Sequence, residues 1–493
     1  MDPENDPEKA SEKSFTPITT TYAEAEAEYL VAFTIPQDPT NPKCWPTYQK
    51  WCTTLVLSST GFNRIAVSTI MAPALPIVAS ELHMTSLESV MAMSVYLLAT
   101  AFGPLLIGPL SELYGRRVVL HTTSVWFLIW NIVCGFAHTK GLLIAARLMA
   151  GLGASAIYAL GSGVLGDVWR SDERGRSLGI YSLLPLFGAA AGPIIGGYIT
   201  EYTTWRWMFW STSIFQAIMI VISIPLFRET HGPTILRHKA KELRRSTGNS
   251  RYYTEDEALG KGRSISWVLM RSFSRPIRLL LFHPIIQVQA CLSAFDYGIT
   301  YITLSTYSDI WTLEYHESIS KSGLHYLAMC LGEIVGAQIG GPLLDLVFRR
   351  MKQRANGVEM PEFRVPIMIP SFVLIPLGLL VYGWAAQKHA PWIVVDLGAF
   401  VLCFGMQIGG QALQAYVIDS YPDHTGSASA ASQFLRSLTA FGFPLFAPKM
   451  YQVLGHGWGN STLAFVAIAI GIPAPLGIWW YGPRLRAKGL SSY

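Results

Sequence analysis

The stretch GPLSELYGRR, residues 108–117, recurs in the second half of the chain as GPLLDLVFRR, residues 341–350. In both copies a Gly-Pro-Leu triplet, an acidic residue, a leucine and a pair of arginines follow at the same spacing. A weaker repeat lies downstream of each copy, where an aspartate precedes a glycine in 167–175 and again in 419–426. Repeats in corresponding places indicate two related halves.

Apolar windows surround both copies of the repeat. A hydrocarbon core about 30 Å thick takes about 20 apolar residues of helix to cross. Six windows of this kind precede a polar stretch, and six follow it. They span 51–78, 87–111, 118–136, 141–166, 178–200, 205–227, 282–310, 319–347, 365–386, 391–418, 427–450 and 462–482.

These windows predict an all-α membrane protein with twelve transmembrane helices in two pseudo-symmetric six-helix bundles. The bundles occupy residues 48–227 and 281–483, and a cytosolic central loop, 228–280, joins them. Residues 484–493 form a cytosolic tail. Residues 1–47 are polar and net acidic, unlike a signal peptide, and we expect them to be a disordered cytosolic tail.

Composition agrees with a membrane protein. Of the 493 residues, 51% are hydrophobic and only 14% are charged, whereas soluble domains carry about 25% charged residues. The six cysteines are scattered, most of them within apolar runs. They lack metal-ligand spacing and are interpreted as small apolar residues.

Basic residues set the orientation. Arginine and lysine concentrate in the loops after even-numbered windows, in the central loop and in the C-terminal tail, so the positive-inside rule predicts that both termini are cytosolic. The sequon at Asn460 falls on the predicted outer side, which makes Asn460 a candidate glycosylation site. The alternate loops hold only isolated basic residues, namely Lys140, Arg206, Lys321 and Lys388.

Several motifs resemble one known family. GPLSELYGRRVVL (108–120) looks like the loop between helices 2 and 3 of the major facilitator superfamily, and RLMAGLGAS (147–155) resembles its helix 4 motif. GAAAGPIIGGYI (188–199) resembles the helix 5 signature of proton-driven antiporters. DPTNPKCWP, FRETHGPTIL, YVIDSYPDHTGSASAA and FGFPLFAPKMY are similar to the fungal drug:proton antiporter subfamily. The resemblance covers residues 38–485 and implies export of drugs, toxins or secondary metabolites in exchange for protons.

The repeated loops are predicted to form a cytosolic gate. Glycines there allow close helix approach, and Glu112 can pair with arginines across the mouth as a breakable latch. The simpler interpretation is ordinary positive-inside charge. The predicted gate residues are Gly108, Glu112, Gly115, Arg116, Arg117, Asp167, Arg174, Asp345, Arg350 and Asp419.

Helix 5 carries a stripe of small residues. Gly188, Gly192, Gly196 and Gly197 give one face of the helix a smooth groove, and Pro193 bends it. We expect a close-packed face that limits leak.

Four ionisable residues lie at membrane depth and are functional candidates for that reason. The family resemblance assigns Arg147 to proton coupling, and the alternative is a hydrogen-bonded structural arginine. Glu333 either faces a cavity and exchanges protons or is buried by an adjacent helix. Asp296 either faces a cavity and exchanges protons or caps a helix break. Arg64 can pair with Asp296 or with Glu333.

The residues favour proton-coupled efflux of amphipathic organic small molecules by alternating access. A proton-coupled importer of the same fold and a non-transporting membrane sensor remain alternatives; an enzyme is disfavoured because no catalytic cluster is evident. We expect a monomer in the plasma membrane or the vacuolar membrane that takes a small-molecule substrate and protons and uses no nucleic acid, metal or cofactor. Predicted cavity-lining residues are Gln407, Gln411, Tyr297 and Tyr301.

Overall fold

The structure of the protein is a computed structural model that describes residues 29–34, 38–170, 173–258, 270, 274, 277–420 and 425–490. The side chains of residue 162 and of 174–176, 425–427 and 487–490 lie outside this description. The described residues are predominantly helical, and their one isolated β-bridge joins Leu30 to Tyr253.

Six transmembrane helices form the N-terminal half. A 3-10 turn joins the first of them to a further short helix, Leu75–Glu81, and a break at Ser155 divides the fourth into two segments. The helices are α1 (Thr47–Thr69), α2 (Ser86–Tyr114), α3 (Arg116–Gly135), α4 (Lys140–Ala154 and Ala156–Val168), α5 (Arg174–Tyr202) and α6 (Arg206–Leu226).

The C-terminal half repeats this arrangement. Its last two helices are separated by Gly455, whose positive φ of 69° turns the chain within an otherwise helical run. The helices are α7 (Pro284–Asp309), α8 (Ile319–Arg354), α9 (Val365–Gln387), α10 (Trp392–Ser420), α11 (425–454) and α12 (456–490).

Ten spans in the described residues are long and apolar enough to cross a membrane. The last of them, Ala428–Arg486, contains two crossings because Gly455 divides it. The less apolar α7 supplies the twelfth helix and carries Asp296 and Gln289. The predicted fold class is therefore confirmed.

Local signals explain where several helices begin. Thr85 and Glu88 form a capping box at the start of α2, each satisfying a backbone N–H of the other residue. Thr139 and Ser318 cap α4 and α8 in the same way, each through its side-chain oxygen. These caps satisfy amides that have no partner inside the helix.

The prediction of disorder up to residue 47 is wrong for the end of that segment. The Val31 N–H donates to the Tyr253 carbonyl over 2.8 Å, and Lys239 pairs with the buried Asp38 at 3.1 Å. Burial alone would raise the pKa of Asp38, but hydrogen bonds from Thr40, Thr34 and Lys239 hold this pKa well below its usual range. The segment is therefore docked on the central loop, which itself contains a helix at Gly232–Thr247.

We call the end of the bundle that carries residues 108–117 the inner face, which the sequence predicts to be cytosolic. The outer face is the opposite end, which carries Glu201 and Ser320.

Candidate functional site

A cavity of about 570 Å³ lies between the two halves and reaches the inner face. The N-terminal half contributes α2, the first residue of α3, α4 and α5, and the C-terminal half contributes α7, α10 and α11. The lining combines aromatic and aliphatic side chains with amides and hydroxyls, a mixture suited to an amphipathic ligand. Polar and aromatic members of the lining are Glu112, Arg116, Tyr158, Tyr181, Gln289, Gln414, Ser429, Ser432, Gln433 and Arg436.

Arg436 is the cation of α11 in this lining. Its guanidinium carbon lies 3.9 Å from the centre of the Tyr297 ring, a cation–π contact. The Arg436 Nε is buried, and no hydrogen-bond acceptor for it exists among the described residues. Asp296 interacts with Arg436 electrostatically. Arg436 therefore presents a positive charge that an acceptor group of a ligand can meet.

Two glutamines supply directional polar groups. The Gln289 Nε2 donates to the Ser432 hydroxyl over 3.0 Å, and the buried Gln289 Oε1 has no donor in the described part of the chain. The Gln433 Nε2 donates to the Ser437 hydroxyl over 2.9 Å. Sequence reasoning missed Arg436 and both glutamines, although an arginine inside an apolar window was a usable signal.

The predicted acids lie beside the cavity lining instead of in it. The rings of Tyr297 and Tyr301 are 5.7 Å apart, and Glu333 on α8 interacts electrostatically with Tyr301. Asp296 is buried, with 9% of its surface exposed. Tyr297 thus connects Arg436 at the cavity to Tyr301, and Tyr301 adjoins Glu333.

Gln407 and Gln411, predicted to line the cavity, pack between α10 and α8. The Gln411 Nε2 donates weakly to the Ala337 carbonyl over 3.5 Å. A side chain added at Gly336 would contact Gln407 at 3.0 Å. Neither glutamine belongs to the cavity lining.

The outer face is closed by contacts between the halves. The Glu201 carboxylate on α5 accepts a hydrogen bond from the Ser320 N–H on α8 over 2.7 Å. A side chain at Gly197 would meet the Ile319 carbonyl at 2.9 Å, and one at Gly323 would meet the Pro193 carbonyl at the same distance. Among the residues that the structure describes, these contacts separate the cavity from the outer face, and its lining extends to the inner face.

The remaining glycines of the α5 stripe face α1. A side chain at Gly188 would come within 2.6 Å of the Phe62 carbonyl, and one at Gly196 within 2.0 Å of the Ile70 carbonyl. Gly192 packs against Ala66 and Thr69 in the same manner. Larger residues at these positions would force the two backbones apart.

Arg147 lies inside the N-terminal half, outside the cavity lining, and is fully buried. Its guanidinium donates to the carbonyls of Val67 (2.9 Å), Ala92 (3.2 Å) and Met93 (3.3 Å), and it lies 4.6 Å from the Tyr96 ring centre. The Val67 carbonyl belongs to the last turn of α1, where intrahelical donors run out. Arg147 thus ties α4 to α1 and α2.

Arg64 is also fully buried in the N-terminal half. One terminal nitrogen donates to the Ser124 hydroxyl over 2.8 Å, while Nε and the other terminal nitrogen have no acceptor among the described residues. The predicted pairing of Arg64 with Asp296 or Glu333 is absent from the described ion pairs.

The inner-face charges of the N-terminal half are held by Glu229. This carboxylate accepts the backbone N–H groups of Arg116 (2.9 Å) and Arg117 (3.1 Å) and so caps α3. Gly115 precedes them with a positive φ of 96°, and a side chain there would collide with Glu229. The Arg116 Nε pairs with Asp167 at 3.3 Å. The motif FRETHGPTIL thus contains a structural cap that sequence reasoning did not assign.

The C-terminal half has an equivalent cluster of three charged residues. Arg364, just before α9, contacts Asp419 at 3.0 Å and Asp345 at 3.2 Å. Arg350, predicted for this role, is exposed at the end of a longer α8.

Each charge cluster therefore lies within its own half of the protein. The predicted pairing between the halves across the mouth is absent from the described ion pairs in this conformation. Gly108 and Glu112 line the cavity near its mouth. The side chain of Arg174 lies outside the described residues.

Asn460 is fully buried on α12. Its amide nitrogen donates to the His456 carbonyl over 2.9 Å, and its oxygen accepts from the Tyr451 hydroxyl over 3.0 Å. A glycan on this nitrogen has no room in the folded chain, which argues against the predicted glycosylation.

Comparisons with known proteins agree on one family. The profile of the Major Facilitator Superfamily matches residues 57–444. A protein of Aspergillus flavus named "Probable efflux pump mfs2" is 54% identical over 424 residues, which cover 86% of this chain and 100% of that protein. "Efflux pump vrtL" of Penicillium aethiopicum is 41% identical over 93% of this chain and 90% of its own length.

Solved structures share the fold at low identity. The partially occluded inward-open conformation of the xylose transporter XylE from E. coli has a TM-score of 0.63 and 16% identity, covering 88% of this chain and 98% of that chain. At this identity the likeness concerns the fold alone.

Proposed function

Because the chain belongs to the Major Facilitator Superfamily and is an integral multi-pass membrane transporter, we propose that it is a proton-coupled efflux transporter for amphipathic organic small molecules. It works by alternating access: the halves rock about the central cavity and expose it to each side in turn. Relatives that share 54% and 41% of their residues with this chain carry the name efflux pump, which supports the direction.

One observation carries the proposal. The cavity reaches the inner face between the halves, while Glu201, Ser320 and Gly197 close the outer face. With the inner face cytosolic, this conformation accepts molecules from the cytosol or from the inner leaflet. An exporter must load its substrate from that side.

The lining supports the substrate class. Leu105, Ile157 and Tyr158 offer apolar and aromatic surface, and Arg436 with Gln289 offers a cation and an amide oxygen. A molecule with a flat apolar body and one or two polar groups satisfies both parts.

Glu333 and Asp296 are the proposed proton carriers. Moving an ionised carboxylate through the dry contact between the halves is costly. An acid that is protonated when the substrate is absent removes that cost on the return step. Exchange of substrate for proton follows if substrate binding and protonation exclude each other.

The proposed location is the plasma membrane, with both termini cytosolic; a vacuolar membrane is the alternative. An epitope tag on either terminus should become accessible to antibody only after the cells are permeabilised. A tag accessible on intact cells would reverse the orientation.

Inside-out vesicles with an acidic lumen provide the functional test. Fluorescent amphipathic compounds should accumulate in vesicles that contain the protein, and collapsing the gradient with an ionophore should stop the accumulation. A proton-coupled importer would instead accumulate compounds in right-side-out vesicles under an acidic exterior. If no compound moves in vesicles of either orientation, the proposal of efflux is wrong, and the interpretation as a non-transporting sensor remains.

A further inference from the structure

A second group of ionisable side chains lies at the outer face, away from the cavity. The His325 Nδ1 is 2.8 Å from Asp396 Oδ2, and its Nε2 is 3.0 Å from Glu317 Oε2. The imidazole stacks on Trp311 with 3.6 Å between ring centroids. The side chains of His325, Asp396 and Glu317 are 12%, 14% and 27% exposed, so protons from the outer solution can reach them.

This geometry determines how many protons the cluster must bind. A neutral imidazole has one N–H and one lone pair. Both ring nitrogens of His325 face a carboxylate oxygen at hydrogen-bond distance, so the cluster must hold one proton beyond a neutral histidine and two carboxylates. When that proton leaves, a lone pair opposes a carboxylate, and one of the two contacts is lost.

The surrounding groups decide which contact breaks. Asp396 on α10 is also fixed by the Tyr307 hydroxyl of α7 at 2.7 Å, whereas Glu317 is the more exposed carboxylate. Other titratable or charged groups at this end include His316, which precedes Glu317, and Asp309 at the end of α7. They also include a Glu314–His389 pair at 3.7 Å, and Lys321 with Glu201, which interact electrostatically. Glu317 is therefore the carboxylate that moves away.

Glu317 begins the segment that closes the outer face. Ser318 caps α8, Ile319 packs against Gly197 of the other half, and the Ser320 N–H donates to Glu201. Holding Glu317 on His325 thus positions residues 317–320 for their contacts with α5.

We propose that His325, Asp396 and Glu317 form an external proton-binding site whose bound proton keeps the outer face closed. The inference rests on the proposed alternating access and on the proposed topology, in which the outer face lies outside the cytosol. It adds a proton site separate from the acids beside the cavity. External acid stabilises the inward-open conformation, and loss of the proton at higher pH loosens residues 317–320 and favours outward opening.

The test measures the outer opening directly, without substrate or gradient. Nitroxide labels on Tyr202→Cys of α5 and Lys388→Cys of the α9–α10 loop report the distance between halves in full-length protein in lipid nanodiscs, with native cysteines replaced. Raising the pH from 5 to 8 should increase the long-distance population of wild type, by at most about tenfold per pH unit for one proton.

Three variants test whether the pH response comes from this cluster or from another titrating group. His325→Phe keeps a ring that can stack on Trp311 but has no nitrogen to bind a proton or hold Glu317, so it should show the long distance at both pH values. Glu317→Gln supplies an amide that donates to neutral Nε2, so it should show the short distance at both. His389→Gln, a second histidine of the outer face, should behave as wild type.

The proposal is overturned if wild type does not respond to pH, or if His325→Phe or Glu317→Gln keeps the wild-type response. Vesicle transport by the unlabelled protein tests efflux independently. Transport without a pH-dependent distance removes the external site and leaves efflux standing. A pH-dependent distance without transport does the reverse.

Discussion

Glu201 at the end of α5 accepts a hydrogen bond of 2.7 Å from the Ser320 N–H at the start of α8, which joins the two halves. The bond places a carboxylate at the amino end of a helix, where free N–H groups and the helix dipole both favour negative charge. A contact of this kind contributes about 0.5–2 kcal/mol, and separating the two halves at the outer face would break it.

Replacing Glu201 by alanine should therefore raise the outward-open population about 2- to 30-fold, the range that corresponds to 0.5–2 kcal/mol. The readout is the rate at which a membrane-impermeant maleimide labels a cysteine at Ser68, a buried position. Glu81→Ala is the matched control, because Glu81 pairs with Arg206 inside the N-terminal half. Equal acceleration by both variants would contradict a specific role for Glu201.

Arg147→Ala should lower stability, since its three carbonyl partners lose their donor together. Hydrogen bonds to a charged group contribute about 1.5–3 kcal/mol each, and a loss of about 3 kcal/mol in all is expected after relaxation. Arg147→Lys should recover only part of the lost free energy of unfolding, because one ammonium cannot reach all three carbonyls. Thermal unfolding in detergent measures this. An unchanged Tm with lost proton coupling would return Arg147 to the coupling pathway.

Asp38→Asn should release the N-terminal segment from the central loop, seen as faster limited proteolysis near residue 38. The low pKa of Asp38 means that its ionised form is favoured in the docked state. Docking is therefore fully stabilised above the unfolded pKa of about 3.9 and weakens as pH falls below it. Wild type at pH 3 should move only part of the way toward the variant at pH 7, because the rest of the stabilisation is lost as pH falls further, through the lower pKa of the docked state. Glu359→Gln, an exposed carboxyl of the α8–α9 loop, should leave proteolysis unchanged.

The fold could be predicted because its signals are local. Twelve apolar windows and the 108–117 repeat need no knowledge of packing, and only helix ends were displaced. The α11–α12 turn was the hardest boundary: a positive φ at Gly455 divides a run that stays helical and apolar on both sides.

The site was harder to predict than the fold, because the direction in which a side chain points from its helix depends on tertiary packing. Arg436 meets the same criterion as Arg64, a cation inside an apolar window, yet one lies at the cavity and the other is buried among α1, α2 and α3. Rotation of each helix against partners hundreds of residues away decides this. Arg364 replaces Arg350 for a similar reason, because α8 continues to Arg354 and displaces the repeated arginine.

Arg436→Gln should weaken binding of acidic ligands more than of neutral ones. Losing a charged donor should cost about 10- to 150-fold in affinity, which corresponds to 1.5–3 kcal/mol. The probes are 9-anthracenecarboxylate and its carboxamide, titrated into purified protein by fluorescence. Arg436→Lys should fall between, and Arg350→Gln at the exposed end of α8 should match wild type. Equal losses for both probes would assign Arg436 to packing on Tyr297.

Glu333→Gln should abolish gradient-driven accumulation and leave exchange of substrate at equal pH intact. The amide keeps the size and polarity of the carboxyl but cannot carry a proton, so the halves can still rock with substrate bound. Both activities are measured on the same proteoliposomes, with Glu359→Gln as the exposed-carboxyl control and Asp296→Asn as the rival. Loss of accumulation in Asp296→Asn alone would move the proton to Asp296, beside Arg436. Full accumulation in both variants would exclude both acids as the proton carrier and leave the proton coupling to other groups.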